Sequence, residues 1–219
     1  MTDIDPLRGA ADTMKAVRER CVWSQQITHR DLVPYLIEES HEVIDAVEGG
    51  TRADLREELG DLLWQVLFHA AIAAQDPDDP FDIDDVAQTL TEKMVRRHPH
   101  VFGDAVATTS DEVLVHWNAA KAAEKRERRS VLDGVPSAMP SLARAQKVLG
   151  RAASVGAGEE VALAAHDAAE IGAAPETEEE LGDLLLTLTA TARANGWDAE
   201  RALRERLRLL EDEVRDAEA

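Results

Sequence analysis

Apolar residues recur along most of this chain at the three- and four-residue intervals of one helical face. Leu7, Ala11, Met14 and Val17 set the first such stripe and predict a helix over 6–20. Residues 21–30 lose the period and read as a loop containing Trp23. Asp31 is placed to cap a helix that runs to Glu48, with Pro34 tolerated in its first turn. The core face of that helix reads Leu32, Leu36, Ser40, Ile44 and Val47. Gly49 and Gly50 stop it, and Thr51 with Asp54 resembles a capping box that opens a helix to about Gln75. Asp76 to Pro80 is a turn, and 82–98 is helical, ending before Pro99. A loop over 99–109 leads to a helix capped by Thr109 or Ser110 and running to about Arg129. The segment 131–140, with Gly134, Pro136 and Pro140, is the natural linker. A helix near 141–153, a loose Gly-Ala stretch at 154–158 and three helical segments broken near Pro175 and Gly196 complete the chain. The pattern predicts an all-α fold of six to eight helices, an antiparallel bundle.

The helix over 52–75 is apolar nearly all round. Leu55, Leu59, Leu62, Leu63, Val66 and Ala70 form one arc, and Trp64, Leu67, Phe68 and Ala71 cover most of the other side. Such a helix is buried, in a core or at a subunit interface. Its remaining strip carries Asp54, Glu58, Asp61 and Gln65, which need partners to be tolerated there. On the preceding helix Glu39 and Glu42 share a face at the edge of the core, while Glu38 and Asp45 point further out. The Gly-Gly turn folds the two helices antiparallel, so Glu39, Glu42, Glu58 and Asp61 converge. Four carboxylates packed together repel and are poorly solvated, so they call for a cation. Oxygen-only donors favour Mg²⁺, with Mn²⁺ as a substitute. Solvated helix glutamates would account for either pair alone, but both pairs across so tight a turn point to a site.

Charge and composition narrow the function. The formal charge of −20 over 219 residues argues against a nucleic-acid surface, since phosphate contacts need a positive field. An anionic substrate would need a local basic patch working against that field. The single cysteine, Cys21, leaves no internal disulfide and no cysteine-based zinc site. No apolar run reaches membrane-spanning length, and the first residues lack the basic start and apolar stretch of a signal peptide. The expectation is a soluble, cytoplasmic protein with no membrane partner.

One stretch echoes another. Glu57-Glu58-Leu59-Gly60-Asp61-Leu62-Leu63 recurs as Glu179-Glu180-Leu181-Gly182-Asp183-Leu184-Leu185. Duplication accounts for the Glu-Leu-Gly-Asp core better than chance does. The acidic pentad Glu38 to Glu42 does not recur, so residues 155–219 read as a degenerate second copy. Residues 1–130 form the complete unit, with 131–154 as linker and connecting helix.

Glu-Glu-x-x-Glu followed by Glu-x-x-Asp on paired helices resembles the MazG-type nucleoside triphosphate pyrophosphohydrolases. The likeness extends to Cys21-Val22-Trp23 with Thr28-His29, and to the basic segment from Lys93 through His98-Pro99-His100-Val101-Phe102. Trp117 with Lys121, and Leu142 to Lys147, match later landmarks of that family. In the first loop Val22, Ser24 and Ile27 stand where the family usually has Pro, Asp and Gln.

The resemblance implies Mg²⁺ dependence, a homodimer or higher homo-oligomer, and cleavage of an NTP or dNTP to the monophosphate and pyrophosphate. It also implies a role in cleaning the nucleotide pool. Carried over residue by residue, the metal ligands fall on Glu39, Glu42, Glu58 and Asp61. Glu38 is either a support for those ligands or a base that orients water. Lys93, Arg96 and Arg97 would face the triphosphate, with Lys121 as a weaker candidate. A solvated basic helix end is the alternative for the cluster of Lys93, Arg96 and Arg97. Trp23 is either a base-stacking platform or a core tryptophan.

Two other readings compete. Glu38-x-x-His41 matches half of a di-iron carboxylate motif, but Glu58-x-x-Asp61 supplies no second histidine. A non-catalytic helical regulator could keep the same acids as a metal-stabilised scaffold.

Overall fold

The computed structural model describes residues 5–124, 130–153 and 175–206, all of them in helices, turns and loops without a strand. The chain divides into two compact units, Met1–Glu124 and Lys125–Ala219. No described helix is long and apolar enough to cross a membrane.

In the first unit α1 spans Pro6–Arg20, opened by Asp5, whose carboxylate accepts from the Leu7 amide. A short helix α2, Val22–Gln26, stands where the broken periodicity predicted only loop. Arg18 explains it. This buried guanidinium donates to the carbonyls of Ser24 and Ile27 and to Gln75 Oε1, occupying acceptors that the end of α2 leaves open. Five residues are too few to show a period, and the residue that secures them lies on another helix.

α3 spans Val33–Glu48 and α4 spans Arg52–Ala73. Asp31 does not cap α3. Its carboxylate accepts from the amide and hydroxyl of Thr28, and α3 starts without a side-chain cap. The Thr51–Asp54 capping box is complete in both directions. Between the helices Gly50 passes so close to α3 that a Cβ there would meet Ala46 Cα at 2.7 Å. That approach is what folds the hairpin tightly.

The hairpin is rotated relative to the apolar pattern. Leu32, just before α3, and Ala46 on it are buried, but Leu36 and Val47, expected in the core, are exposed, Val47 at 65%. On α4 Gln65 is buried while Leu59 and Val66 are open. The strip that carries Glu39 and Gln65 therefore takes the inward position, and apolar side chains stay outside. The core proper gathers Met14 of α1, Leu32, and Leu67 and Phe68 of α4, with Leu63, Trp64 and Ile72 packed against them.

α5, Ile83–Arg97, starts with a reciprocal Asp82–Asp85 box, and an exposed Arg8–Asp84 pair ties it to α1. Pro99–Phe102 forms a one-turn helix, α6, inside the stretch predicted as loop, with Pro99 at its first position. α7 is Ser110–Ala123, boxed by Thr109 and Glu112. It ends short of the expected Arg129, and residues 125–129 lie outside the described residues.

In the second unit α8, Ser141–Ala152, packs against α9, Glu178–Ala194. Thr177 caps α9, and Gly196 at φ 71° ends it, letting the Trp197 amide reach the Ala192 carbonyl. Gln146 then bonds the Trp197 carbonyl and the Ala199 amide at the start of a helical segment over 199–206.

Candidate metal centre

The hairpin runs its two acidic strips past each other in opposite directions. Glu39 of α3 and Glu58 and Asp61 of α4 each place one carboxylate oxygen within 4.8 Å of the other two. Glu39 and Glu58 are half-buried. Burial, then the charges of Asp61 and Glu42, push the Glu39 carboxyl above its ordinary range. Glu58 is raised as well, by desolvation first and then by Glu42, Asp61, Glu57 and Asp54. Glu42 stands just outside the three-oxygen cluster, yet its charge reaches both Glu39 and Glu58. It also lines a groove of about 340 Å³ with Asp45, Gly50, Asp54 and Glu58.

A hard divalent cation fits this donor set. The ligand atoms are all oxygen, they are gathered from two rigid helices, and the carboxyls resist carrying their charges together. Gln65 was legible as part of the acidic strip but not as a site residue. It lies one turn after Asp61, almost wholly buried, and its Nε2 donates to Glu39 Oε1 at 3.3 Å. Gln65 Oε1 is buried with no hydrogen-bond partner. Its spacing of seven from Glu58 is the sequence signal that marks it.

Glu38 is exposed and outside the cluster. His41 Nδ1 lies 2.7 Å from the Ile37 carbonyl of its own helix, so the half-motif of a di-iron site does not assemble with Glu39, Glu58 and Asp61.

The basic residues sit on the last turns of α5. Lys93 is half-buried and makes no ion pair among the described residues. Arg96 and Arg97 both close on Glu124, just past α7, and Arg97 Nη2 reaches Glu124 Oε2 at 2.5 Å. The two guanidiniums hold the Glu124 carboxyl down to about 2. Arg97 also lies over the Trp117 ring, 5.0 Å from its centroid. Glu124 was not visible as a partner in the sequence, where it opens a run of mixed charges. Lys121 is half-buried on the same helix, α7. Trp23, on α2, stands edge-on to Tyr35 and Phe68 and is still 53% exposed, so one side is packed and the other open.

In the second unit Glu180 and Asp183 are both exposed, and the Glu180 carboxylate accepts from the Glu176 amide. Neither joins a carboxylate cluster among the described residues. Residues 155–174, where a counterpart of the acidic pentad would fall, lie outside them.

Comparison with known proteins places this geometry. Residues 27–102, which contain the whole carboxylate cluster and the basic end of α5, match the MazG nucleotide pyrophosphohydrolase domain. A nucleoside triphosphate pyrophosphohydrolase of Escherichia coli K12 is 36% identical across the full chain and 88% of its own length. The chain belongs to the MazG family. A MazG nucleoside triphosphate pyrophosphohydrolase/pyrophosphatase of Thermotoga maritima is 36% identical over 91% of this chain and 80% of its own. An uncharacterized 26.1 kDa protein of Streptomyces cacaoi reaches 46% over 97% and 82%. MazG similarity thus runs through both units, although the matched domain lies in the first.

Proposed function

We infer that this MazG protein is a metal-dependent nucleoside triphosphate pyrophosphohydrolase, converting an NTP or dNTP and water to the monophosphate and pyrophosphate. The observation that carries the reading is the convergence of Glu39, Glu58 and Asp61 inside the matched domain. Glu39, Glu42, Glu58 and Asp61 bind the cation, and Gln65 holds Glu39 to the task. Mg²⁺ bound there supplies charge neutralisation and Lewis acidity to the phosphate oxygens. Glu38, exposed beside the cluster, orients the attacking water toward the α-phosphorus. Lys93 and Arg97 stabilise charge on the departing pyrophosphate, with Arg96 and Lys121 adding to the local positive field. Trp23 offers its open side to the base. Such chemistry depends on positioning and electrostatics and asks for no protein nucleophile.

Residues 1–130 form the catalytic part, 131–154 connect, and 155–219 are a second copy without catalytic groups. The exposed apolar side chains Leu36, Val47, Leu59 and Val66 on the α3–α4 hairpin support a homodimer through that face. A role in clearing nucleotides from the cytoplasmic pool follows from the reaction.

Turnover of dNTPs with Mg²⁺ in ¹⁸O-water tests the chemistry. Label is expected in the monophosphate, with pyrophosphate released. Label in orthophosphate, with a diphosphate as co-product, would overturn the assignment.

A further inference from the structure

A cavity of about 420 Å³ opens between α1, the C-terminal half of α4 and the start of α5. None of the carboxylate-cluster residues or the basic residues of α5 line it. Its apolar wall combines Ala11, Ala70, Ala71 and Ala74 with the larger Met14, Leu67 and Ile83. The four alanines leave a slot between the facing helices where longer side chains would interdigitate. A volume in this range is that of an ordinary small-molecule site.

The polar end of the slot is Arg18, only 8% exposed. Its Nε donates to Gln75 Oε1 and its Nη1 to the Ser24 and Ile27 carbonyls. All three acceptors are neutral, and no carboxylate forms an ion pair with Arg18 among the described residues. Nη2 donates to no acceptor among the described residues, and it is not one of the fully buried unpaired atoms, so it keeps some open surface. Desolvation lowers the Arg18 pKa, with no counter-charge to offset it. A buried cation without an anion is a costly arrangement, and it is the more unexpected in a chain of net charge −20.

We propose that this slot is a binding site for a small organic monoanion, a carboxylate on a flat apolar body, whose head group pairs with Arg18 Nη2 and whose body lies along the alanines of α1 and α4. One buried positive charge matches one negative charge. Arg8 and Asp84 of the same lining neutralise each other, which leaves Asp12, Glu19 and Asp82 against Lys15 and Arg18, so a second negative charge finds no spare cation and a phosphate monoester fits less well than a carboxylate. Lys15, also lining the cavity, adds to the attraction for a single negative charge.

The test uses the full chain, ¹⁵N-labelled, titrated with 2-naphthoate, its neutral amide 2-naphthamide, and 2-naphthyl phosphate. Naphthoate is expected to shift the amides of Ala11, Ala70, Ala71 and Ala74 saturably, and at least tenfold more tightly than either comparison compound. Ala74→Leu, which projects bulk into the slot at an exposed helix end, should weaken naphthoate binding at least tenfold with the circular dichroism unchanged. Arg18→Lys should shift the preference between acid and amide if it folds, but the Ala74 variant decides the matter without it. Absence of saturable shifts at those alanines overturns the proposal. Equal binding of acid and amide also overturns it, because the slot is then merely apolar.

Discussion

His29 Nδ1 lies 2.7 Å from His69 Nδ1, with the two rings only 8° from coplanar. Their centroids are 5.0 Å apart, about the contact distance plus both ring radii, so the rings meet edge to edge in a near-linear N–H···N bond. One proton serves both nitrogens. His69 Nε2 is buried without a partner, which favours the tautomer with the proton on His69 Nδ1 and a bare Nε2. His29 then accepts, and the loop before α3 is fastened to α4.

This pair gives the fold a pH dependence of definite sign. Burial and the neighbouring His29 lower the pKa of His69 below that of the unfolded chain, about 6.5. The unfolded state therefore takes up the proton first as pH falls. The stabilisation is present above pH ~6.5 and is lost as pH drops through that value toward the lower folded one. With Mg²⁺ present to hold the carboxylate cluster constant, moving from pH 8 to pH 5.5 should change the urea midpoint less favourably for wild type than for His69→Gln. An identical pH response in both proteins would show that the pair does not carry the effect.

The tightness of the α3–α4 hairpin rests on Gly50. A Cβ would sit 2.7 Å from Ala46 Cα and 3.0 Å from the Ala46 carbonyl oxygen, both backbone atoms that cannot swing away. Gly50→Ala should destabilise the protein by about 1–3 kcal/mol in denaturant melts. A change within about 0.5 kcal/mol would mean that the turn relaxes freely.

Glu124 competes with substrate for the guanidiniums that the proposed mechanism uses. Glu124→Gln keeps the shape and removes the charge that binds Arg96 and Arg97. KM for dNTP should fall several-fold with kcat little changed. A rise in KM would instead make Glu124 a residue that positions Arg97 for the phosphates.

The second copy should be dispensable for chemistry. Glu180→Gln combined with Asp183→Asn is expected to leave kcat within a few-fold of wild type, since both side chains are exposed and no cluster forms around them among the described residues. A loss of about 10³, about 4 kcal/mol of barrier, would place catalytic groups there.

The helices were legible wherever a period of several turns met a local stop signal, as at Thr51 with Asp54, Asp82 and Thr109. Sequence failed where the deciding contact was remote. α2 is held by Arg18 from another helix, and Asp31 is taken by Thr28 before it can cap α3. The rotation of α3 was misread for a different reason. Apolarity argued that Leu36 and Val47 face the core, but the structure turns Glu39 inward toward Asp61 and Gln65 and leaves those side chains exposed. The carboxylate pairs themselves could be read because fixed helical spacing and a tight turn leave them little freedom. Gln65 could be read only as a member of the polar strip on α4, because a neutral amide does not announce a role at the site, and Glu124 could not be read at all, because it is one acid among many.

The central claim is that the clustered carboxylates form a cation site that strains the metal-free fold. Glu39 and Glu58 have raised folded pKa values, so the stability they contribute is present at low pH and is lost as pH rises through those values. At pH 8 without metal the repulsion is at its fullest. Thermal melts of wild type, Glu58→Gln and Glu38→Gln in EDTA and in Mg²⁺ test this directly. Wild type should gain roughly 2.7 kcal/mol at about a hundred times the dissociation constant of Mg²⁺. Glu58→Gln should melt at or above wild type in EDTA and lose most of the Mg²⁺ response, while Glu38→Gln, outside the cluster, keeps it. Melting of Glu58→Gln well below wild type in EDTA would contradict the account, because the cluster would then be a stabilising hydrogen-bond network and not a metal site.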